Sequence, residues 1–170
     1  MNTLNLMLPY NFFVLNLVNI TWSDILFAIK QRFLTYEAAI EHAIHVINRE
    51  ELPSNDVIEL ACLDKEEDID LYLDKLSSSI SEKDYSMAKE KNLYLILKWV
   101  FENKNNYSDP LEVVECIYAD FDYPEEISRF VRYMPTNQPM LYSLELNIER
   151  LYKNWNDYLE KQKKRYSVSD

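Results

Sequence analysis

No glycine occurs at any of the 170 positions of this chain, where average usage of roughly 7% would supply about 12. Glycine is the residue that takes positive φ without steric penalty and lets backbone approach a ligand closely, so its absence removes conformations before any other residue is considered. Phosphate-cradling loops of the P-loop and dinucleotide-binding types need that approach and cannot be written with these residues. The strand-to-helix nucleophile elbow and the EF-hand calcium loop fail for the same reason. Tight β-hairpins lose their favoured Asn-Gly and Asp-Gly turns. Helices joined by loops punctuated with Asn and Pro remain, with Asn103, Asn105 and Asn106 as candidate left-handed caps.

Helical spacing recurs from end to end, and no run of period-two alternation bounded by turn residues competes with it. Thr21 is placed to N-cap a helix carrying Trp22, Ile25, Leu26, Ile29 and Phe33, and Thr35 to cap a second with Ala39, Ile40, Ala43, Ile44 and Ile47 on one face. Pro53 and Ser54 open a short helix through Val57, Leu60 and Leu63, and Ile69, Leu73 and Leu76 mark another before the serine-rich loop Ser77 to Ser81. The longest helix is expected from about Asp84 to Asn103, central to the fold because Leu93 to Phe101 is apolar nearly all round. Asp109-Pro110-Leu111-Glu112 reads as a capping box, with Val113 or Val114, Ile117 and Phe121 buried behind it. Asp122-Tyr123-Pro124-Glu125 repeats the logic ahead of Ile127, Phe130, Val131 and Met134. The last helix aligns Leu144, Ile148, Leu151, Trp155 and Leu159, with Lys161, Lys163, Lys164 and Arg165 at its negative pole. The expectation is an all-α fold: a single domain over 1–170, an irregular helical bundle of about seven or eight helices rather than a repeat solenoid.

A chain of this length buries roughly 70% of its unfolded surface around one core, and with 14% aromatic residues it has the apolar material to fold. The stretch Leu6 to Val18 has no Lys or Arg before it and is interrupted by Pro9, Asn11 and Asn16, so it reads as core rather than as a targeting or membrane segment. Cys62 and Cys116 lack Cys-x-x-Cys spacing and are expected as reduced, buried thiols in a cytoplasmic protein. The net charge of −11 repels phosphate, which argues against nucleic acid and anionic membranes as partners. It serves either solubility or attraction to a basic protein.

Two histidines, His42 and His45, stand three apart beside Glu41. A metal site there would need further ligands from another helix, and the matching Glu-x-x-His or cysteine pairs are missing. The expectation is therefore two surface or half-buried histidines, with no metal and no cofactor. Either cysteine with a histidine could be drawn as a nucleophilic pair, but Leu60-Ala61-Cys62-Leu63 and Val113-Val114-Glu115-Cys116-Ile117 read as packed helix interior.

The acidic residues are clustered. Asp64, Glu66, Glu67, Asp68, Asp70 and Asp74 surround Lys65 alone, and Asp109, Glu112, Glu115, Asp120, Asp122, Glu125 and Glu126 include no Lys or Arg among them. Like charges at this density repel one another, whereas a merely soluble surface intersperses both signs. Tyr107, Tyr118, Phe121, Tyr123, Phe130 and Tyr133 run beside the second cluster with Arg129 and Arg132, a mixture common at interfaces. The candidate partner-binding residues are Asp120, Asp122, Tyr123, Glu125, Glu126, Arg132 and Tyr133, with Phe121 and Phe130 assigned to the core.

The segment Ile117-Tyr118-Ala119-Asp120-Phe121-Asp122-Tyr123-Pro124-Glu125-Glu126-Ile127, continuing to Phe130-Val131-Arg132-Tyr133-Met134-Pro135, resembles a small bacterial family catalogued as domain of unknown function 2247. Ile20-Thr21-Trp22-Ser23-Asp24-Ile25 is similar to its opening motif and Leu151-Tyr152-Lys153-Asn154-Trp155 to its closing helix, so the resemblance covers essentially the whole chain. No catalytic residue comes with the family. Small acidic families of this kind are often immunity proteins paired with secreted bacterial toxins, and by that analogy the resemblance implies a non-enzymatic, immunity- or antitoxin-like protein that neutralises a basic toxin domain by stoichiometric binding. Carboxylates would face the toxin's basic cleft and steer association. The alternatives are a hydrolase using Cys or His and a structural adaptor.

Overall fold

The computed structural model describes residues 1–50, 52–63 and 69–168. Among the described residues the chain forms eight α-helices and two 3-10 turns, with no strand: α1 (Tyr10–Asn16), α2 (Trp22–Lys30), α3 (Glu37–Arg49), α4 (Asn55–Ala61), α5 (Ile69–Ser77), α6 (Glu82–Glu102), α7 (Pro110–Asp120) and α8 (Leu144–Tyr166), with the 3-10 turns Lys104–Asn106 and Glu125–Phe130 on either side of α7. The all-α expectation holds. None of the described helices is long and apolar enough to cross a membrane.

The centre is α6, whose Leu93, Tyr94, Leu95, Ile96, Leu97 and Val100 are all buried. Helix α2 packs along it through Ile25, Ala28 and Ile29, α7 through Val114 and Ile117, and α8 through Trp155 and Leu159. Leu8, Phe12, Phe13 and Leu17 around α1 are buried while Met7 and Leu15 are exposed, so the Leu6–Val18 stretch packs one side into the core. One buried ion pair ties α2 to α6: Lys91 Nζ donates to Asp24 Oδ2 at 2.9 Å and to the Asn19 carbonyl at 3.1 Å. Asp24 also completes the Thr21 capping box by accepting from the Thr21 N–H at 2.8 Å.

Several local expectations give way. Thr35 does not cap α3; its carbonyl accepts from Ala38 N in a preceding turn, and the N-cap residue is Tyr36, with no side-chain cap. Helix α8, at 23 residues, is longer than α6, at 21. Asn103 has φ −108 and none of the three asparagines after α6 is left-handed, because the chain tightens into the 3-10 turn and Asn103 Nδ2 satisfies the Trp99 carbonyl at 2.8 Å. Only the Asp109 half of the α7 capping box forms, with Asp109 accepting from Glu112 N. Asp122 does not open a second box: Pro124 occupies the N-cap position of a 3-10 turn without a side-chain cap. Ser81, read as loop, N-caps α6 in a full capping box with Asp84.

The left-handed positions belong to Asn5, Arg32, Asp122 and Tyr123, with φ between 51 and 64. After α2, Arg32 N bonds Ile29 O at 3.0 Å and Phe33 N bonds Ala28 O at 2.8 Å. After α7, Asp122 N bonds Ala119 O at 3.2 Å and Tyr123 N bonds Tyr118 O at 2.8 Å. Both are Schellman motifs, the helix stop that normally recruits glycine. Here an arginine and an aspartate accept the strain, and the two stops are joined by stacking of Phe33 on Phe121, ring centroids 5.9 Å apart.

Candidate functional site

The second acidic cluster starts in an unfavourable place. Asp120 and Asp122 lie at the C-terminal end of α7, the negative pole of the helix, where carboxylates need compensating donors. Asp120 Oδ2 accepts from Thr3 N and Thr3 Oγ1, each at 2.9 Å, and its carbonyl accepts from the amino group of Met1. Asp122 accepts from Lys89, which holds its carboxyl below the usual carboxylate range. Arg132 donates to Glu115 Oε1 at 2.7 Å and to Asp109 Oδ2 at 2.9 Å. Partial burial opposes ionisation of Asp109, but Arg132 and the Glu112 N–H more than offset it and its pKa is lowered. Asp109, Glu115 and Asp122 are therefore neutralised internally, while Glu112, Glu125 and Glu126 have no ion pair within 4 Å among the described residues.

Six of the seven candidate residues divide into two surfaces, and Asp120 is engaged apart from both by Thr3 and Met1. Tyr123 and Tyr133, both exposed, bracket the buried Tyr118, with ring centroids at 5.2 and 6.3 Å, and Arg132 follows α7 as a clamp between its first turn and Glu115. Asp122, Glu125 and Glu126 instead line a groove of about 630 Å³ against α6, whose Ser86, Lys89, Glu90 and Leu93 form the opposite wall. Glu125 and Glu126 also line a second groove, about 360 Å³, shared with Arg129, Asp157 and Lys161. The 3-10 turn thus stands as a ridge between two grooves with two unpaired glutamates on it.

The Glu126 carboxyl is held above the usual carboxylate range. Partial desolvation raises its pKa, Glu90 raises it further by like-charge repulsion, and Arg165 and Lys161 only partly offset both. The side chain remains exposed by area, so the crowding is partial. Glu90 is itself paired with Arg165 at 2.9 Å. Ser86, Lys89, Glu90 and Leu93 escaped the sequence reading. Their spacing of three, four and seven marks one face of a helix, but which neighbour that face meets is a tertiary fact.

Of the first acidic cluster, Asp64, Glu66, Glu67 and Asp68 lie outside the described residues, as does Lys65. Asp70 and Asp74 line a cleft of about 790 Å³ opposite Lys30 and Arg32, where both signs of charge surround an apolar floor.

His42 is 1% exposed rather than half-exposed. Tyr10 OH lies 2.8 Å from its Nδ1, and burial, reinforced by Glu41, holds the Tyr10 phenol protonated far above neutral pH, while the buried Nε2 has no hydrogen-bond partner among the described residues. Trp22 packs edge to face on the ring at 4.5 Å. Burial, with a further contribution from His45, lowers the His42 pKa to about 4. His45 is half-buried, 3.4 Å from Arg49. No cluster of three His, Cys, Asp or Glu side chains with metal-binding geometry exists among the described residues. The cysteines depart from expectation: Cys62 is exposed at the end of α4 and Cys116 is half-buried. Burial, then Asp120, Glu112 and Glu115, raises the Cys116 pKa, the opposite of what an attacking thiolate requires. No hydrogen bond joins either cysteine to either histidine among the described residues.

No curated protein and no solved structure matches this chain. The family model described as an uncharacterised protein conserved in bacteria, DUF2247, matches residues 10–163, and the chain belongs to that family.

Proposed function

We propose that this is a non-enzymatic acidic binding protein of the immunity or antitoxin type, which neutralises a basic bacterial toxin domain by stoichiometric binding. The observation that carries the reading is the ridge of Glu125 and Glu126, unpaired and flanked by grooves, with four carboxylates against one lysine in the groove beside α6. Burial raises the Glu126 pKa first and repulsion from Glu90 second, and it is this second contribution that a partner's Lys or Arg relieves on entering. Lys89 and Arg165 act as exchangeable counterions, since exposed ion pairs contribute only about 0–1 kcal/mol and give way readily to a better placed cation. Tyr123, Arg132 and Tyr133 supply a second, partly apolar surface to the partner, separate from the grooves.

The raised pKa of Glu126 has a definite sign for stability. A carboxyl whose folded pKa lies above its unfolded value destabilises the fold as pH rises through that range. Glu126→Gln is accordingly expected to raise the melting temperature at neutral pH and to weaken partner capture, with Glu125→Gln/Glu126→Gln weakening it further. The measurement is co-purification with the product of the adjacent gene, followed by titration of the purified pair. Capture that survives the double substitution unchanged would overturn the reading.

A further inference from the structure

The apolar stripe of α8 continues beyond the core. Trp155 and Leu159 are buried and Ile148 and Leu151 half-buried, but Leu144, expected inside from its spacing, is 77% exposed. The loop entering the helix adds Met140 at 82% and a fully exposed Tyr142, and the first helical turn adds Leu146 at 45%, two positions from Leu144 and so on another side of the helix. Single apolar residues on a surface are ordinary; four large ones within seven positions mark an interaction site.

This segment is tied down rather than slack. Asn147 Oδ1 accepts from Leu141 N at 3.1 Å, and Asn147 Nδ2 donates to the Ser143 carbonyl at 2.9 Å. Arg150 donates to the Pro139 carbonyl, and Asn154 Nδ2 donates to Gln138 Oε1 at 3.0 Å. Asn147, Arg150 and Asn154 follow one another at helical spacing, so one polar side of α8 fixes the backbone on both sides of Met140 while the Met140 and Tyr142 side chains stay in water. Ordering a loop costs entropy, and here that order brings no burial of the Met140 and Tyr142 side chains within the monomer.

Charge selects what covers the patch. Glu145 and Glu149 lie beside it on the first turns of α8, and neither belongs to an ion pair among the described residues. An anionic lipid surface would repel those glutamates together with the net charge of −11. We infer that Met140, Tyr142, Leu144 and Leu146, bordered by Glu145 and Glu149, dock an amphipathic basic segment of a partner protein. The inference rests on the proposed function for the sign of the partner's charge and adds an apolar anchor, since Leu146 precedes the groove residue Asn154 by about 12 Å of helix.

The test titrates isotope-labelled full-length protein with a synthetic amphipathic leucine–lysine peptide, using a leucine–glutamate peptide as control and amide shifts as readout. Shifts concentrated over 139–151 are expected, with affinity falling about tenfold in Tyr142→Ser/Leu144→Ser as two anchors are lost, and retained at that site in Glu125→Gln/Glu126→Gln. Both substituted apolar side chains are exposed, so the fold does not depend on them. Undiminished affinity in the serine variant, equal shifts with the glutamate peptide, or a dimer in sedimentation that the serine variant abolishes would each overturn the inference. Shifts confined to the groove overturn it as well while leaving the groove reading standing. Peptide binding at α8 combined with partner capture indifferent to the Glu125 and Glu126 substitutions fails the groove reading alone.

Discussion

Arg32 and Asp122 occupy the backbone conformation for which glycine is the default, and a side chain there costs roughly 1–2 kcal/mol against the following carbonyl. Arg32 offers the cleaner test, because its contact with Asn2 is made by the backbone carbonyl, which accepts from Asn2 Nδ2, and its guanidinium joins no ion pair among the described residues. Arg32→Gly is expected to stabilise the protein by about 0.5–1 kcal/mol, the relieved strain exceeding the added unfolded-state entropy. A shifted denaturant midpoint at unchanged slope would register it, and no gain would mean the Arg32 side chain contributes something this geometry omits. His42 carries a second residue-scale consequence. Its folded pKa of about 4 lies below the unfolded value near 6.5, so the unfolded chain takes up the extra proton. Stability from the neutral ring is complete above about pH 6.5 and declines as pH falls to about 4, by up to roughly 3 kcal/mol. Melting curves across that window should show the slope in the native protein and a flatter profile in His42→Asn.

Among the elements, the α2–α6 contact holds the groove wall in position, since the helix that carries Lys89 and Glu90 also carries Lys91 and Asn92. Asn92 Nδ2 donates to the Asp24 carbonyl at 3.2 Å and to the Ala88 carbonyl at 2.9 Å, adding to the Lys91–Asp24 pair. Removing one member of a buried pair leaves the other charge uncompensated, so Lys91→Ala is expected to cost roughly 3–5 kcal/mol, while Asp24→Asn/Lys91→Met together should recover much of it. Equal losses for the single and double variants in urea unfolding would show that packing, not charge, sets the cost. The caps at Thr21, Ser54, Ser81, Asp109 and Ser143 all form. A cap is read from a few adjacent residues, and for that reason Thr21, Ser54 and Asp109 were legible. Thr35 and Asp122 carry the same kind of signal and fail, because a preceding turn claims the first and a helix stop the second.

For the whole molecule, the net charge of −11 sets up a field that extends about a Debye length into solution, so capture of a basic partner should weaken steeply between low and high salt. Salt-insensitive capture would shift the binding free energy to apolar contacts such as the α8 patch. The sequence by itself determined the class of the fold, because periodicity is local and the missing glycines remove whole families of loop and turn. It also placed Phe121, Phe130 and Leu93 to Leu97 inside, with Val100, since residues apolar on every side have nowhere else to go, while Lys98, Trp99 and Phe101 are only half-buried. Only the tertiary structure decided which carboxylates stay free. Asp109, Asp120 and Asp122 read like Glu125 and Glu126 along the chain, yet Arg132, Thr3 and Lys89, all distant in sequence, engage the first three. An ion pair forms wherever the fold brings opposite charges within a few ångströms, and spacing along the chain carries no information about that distance.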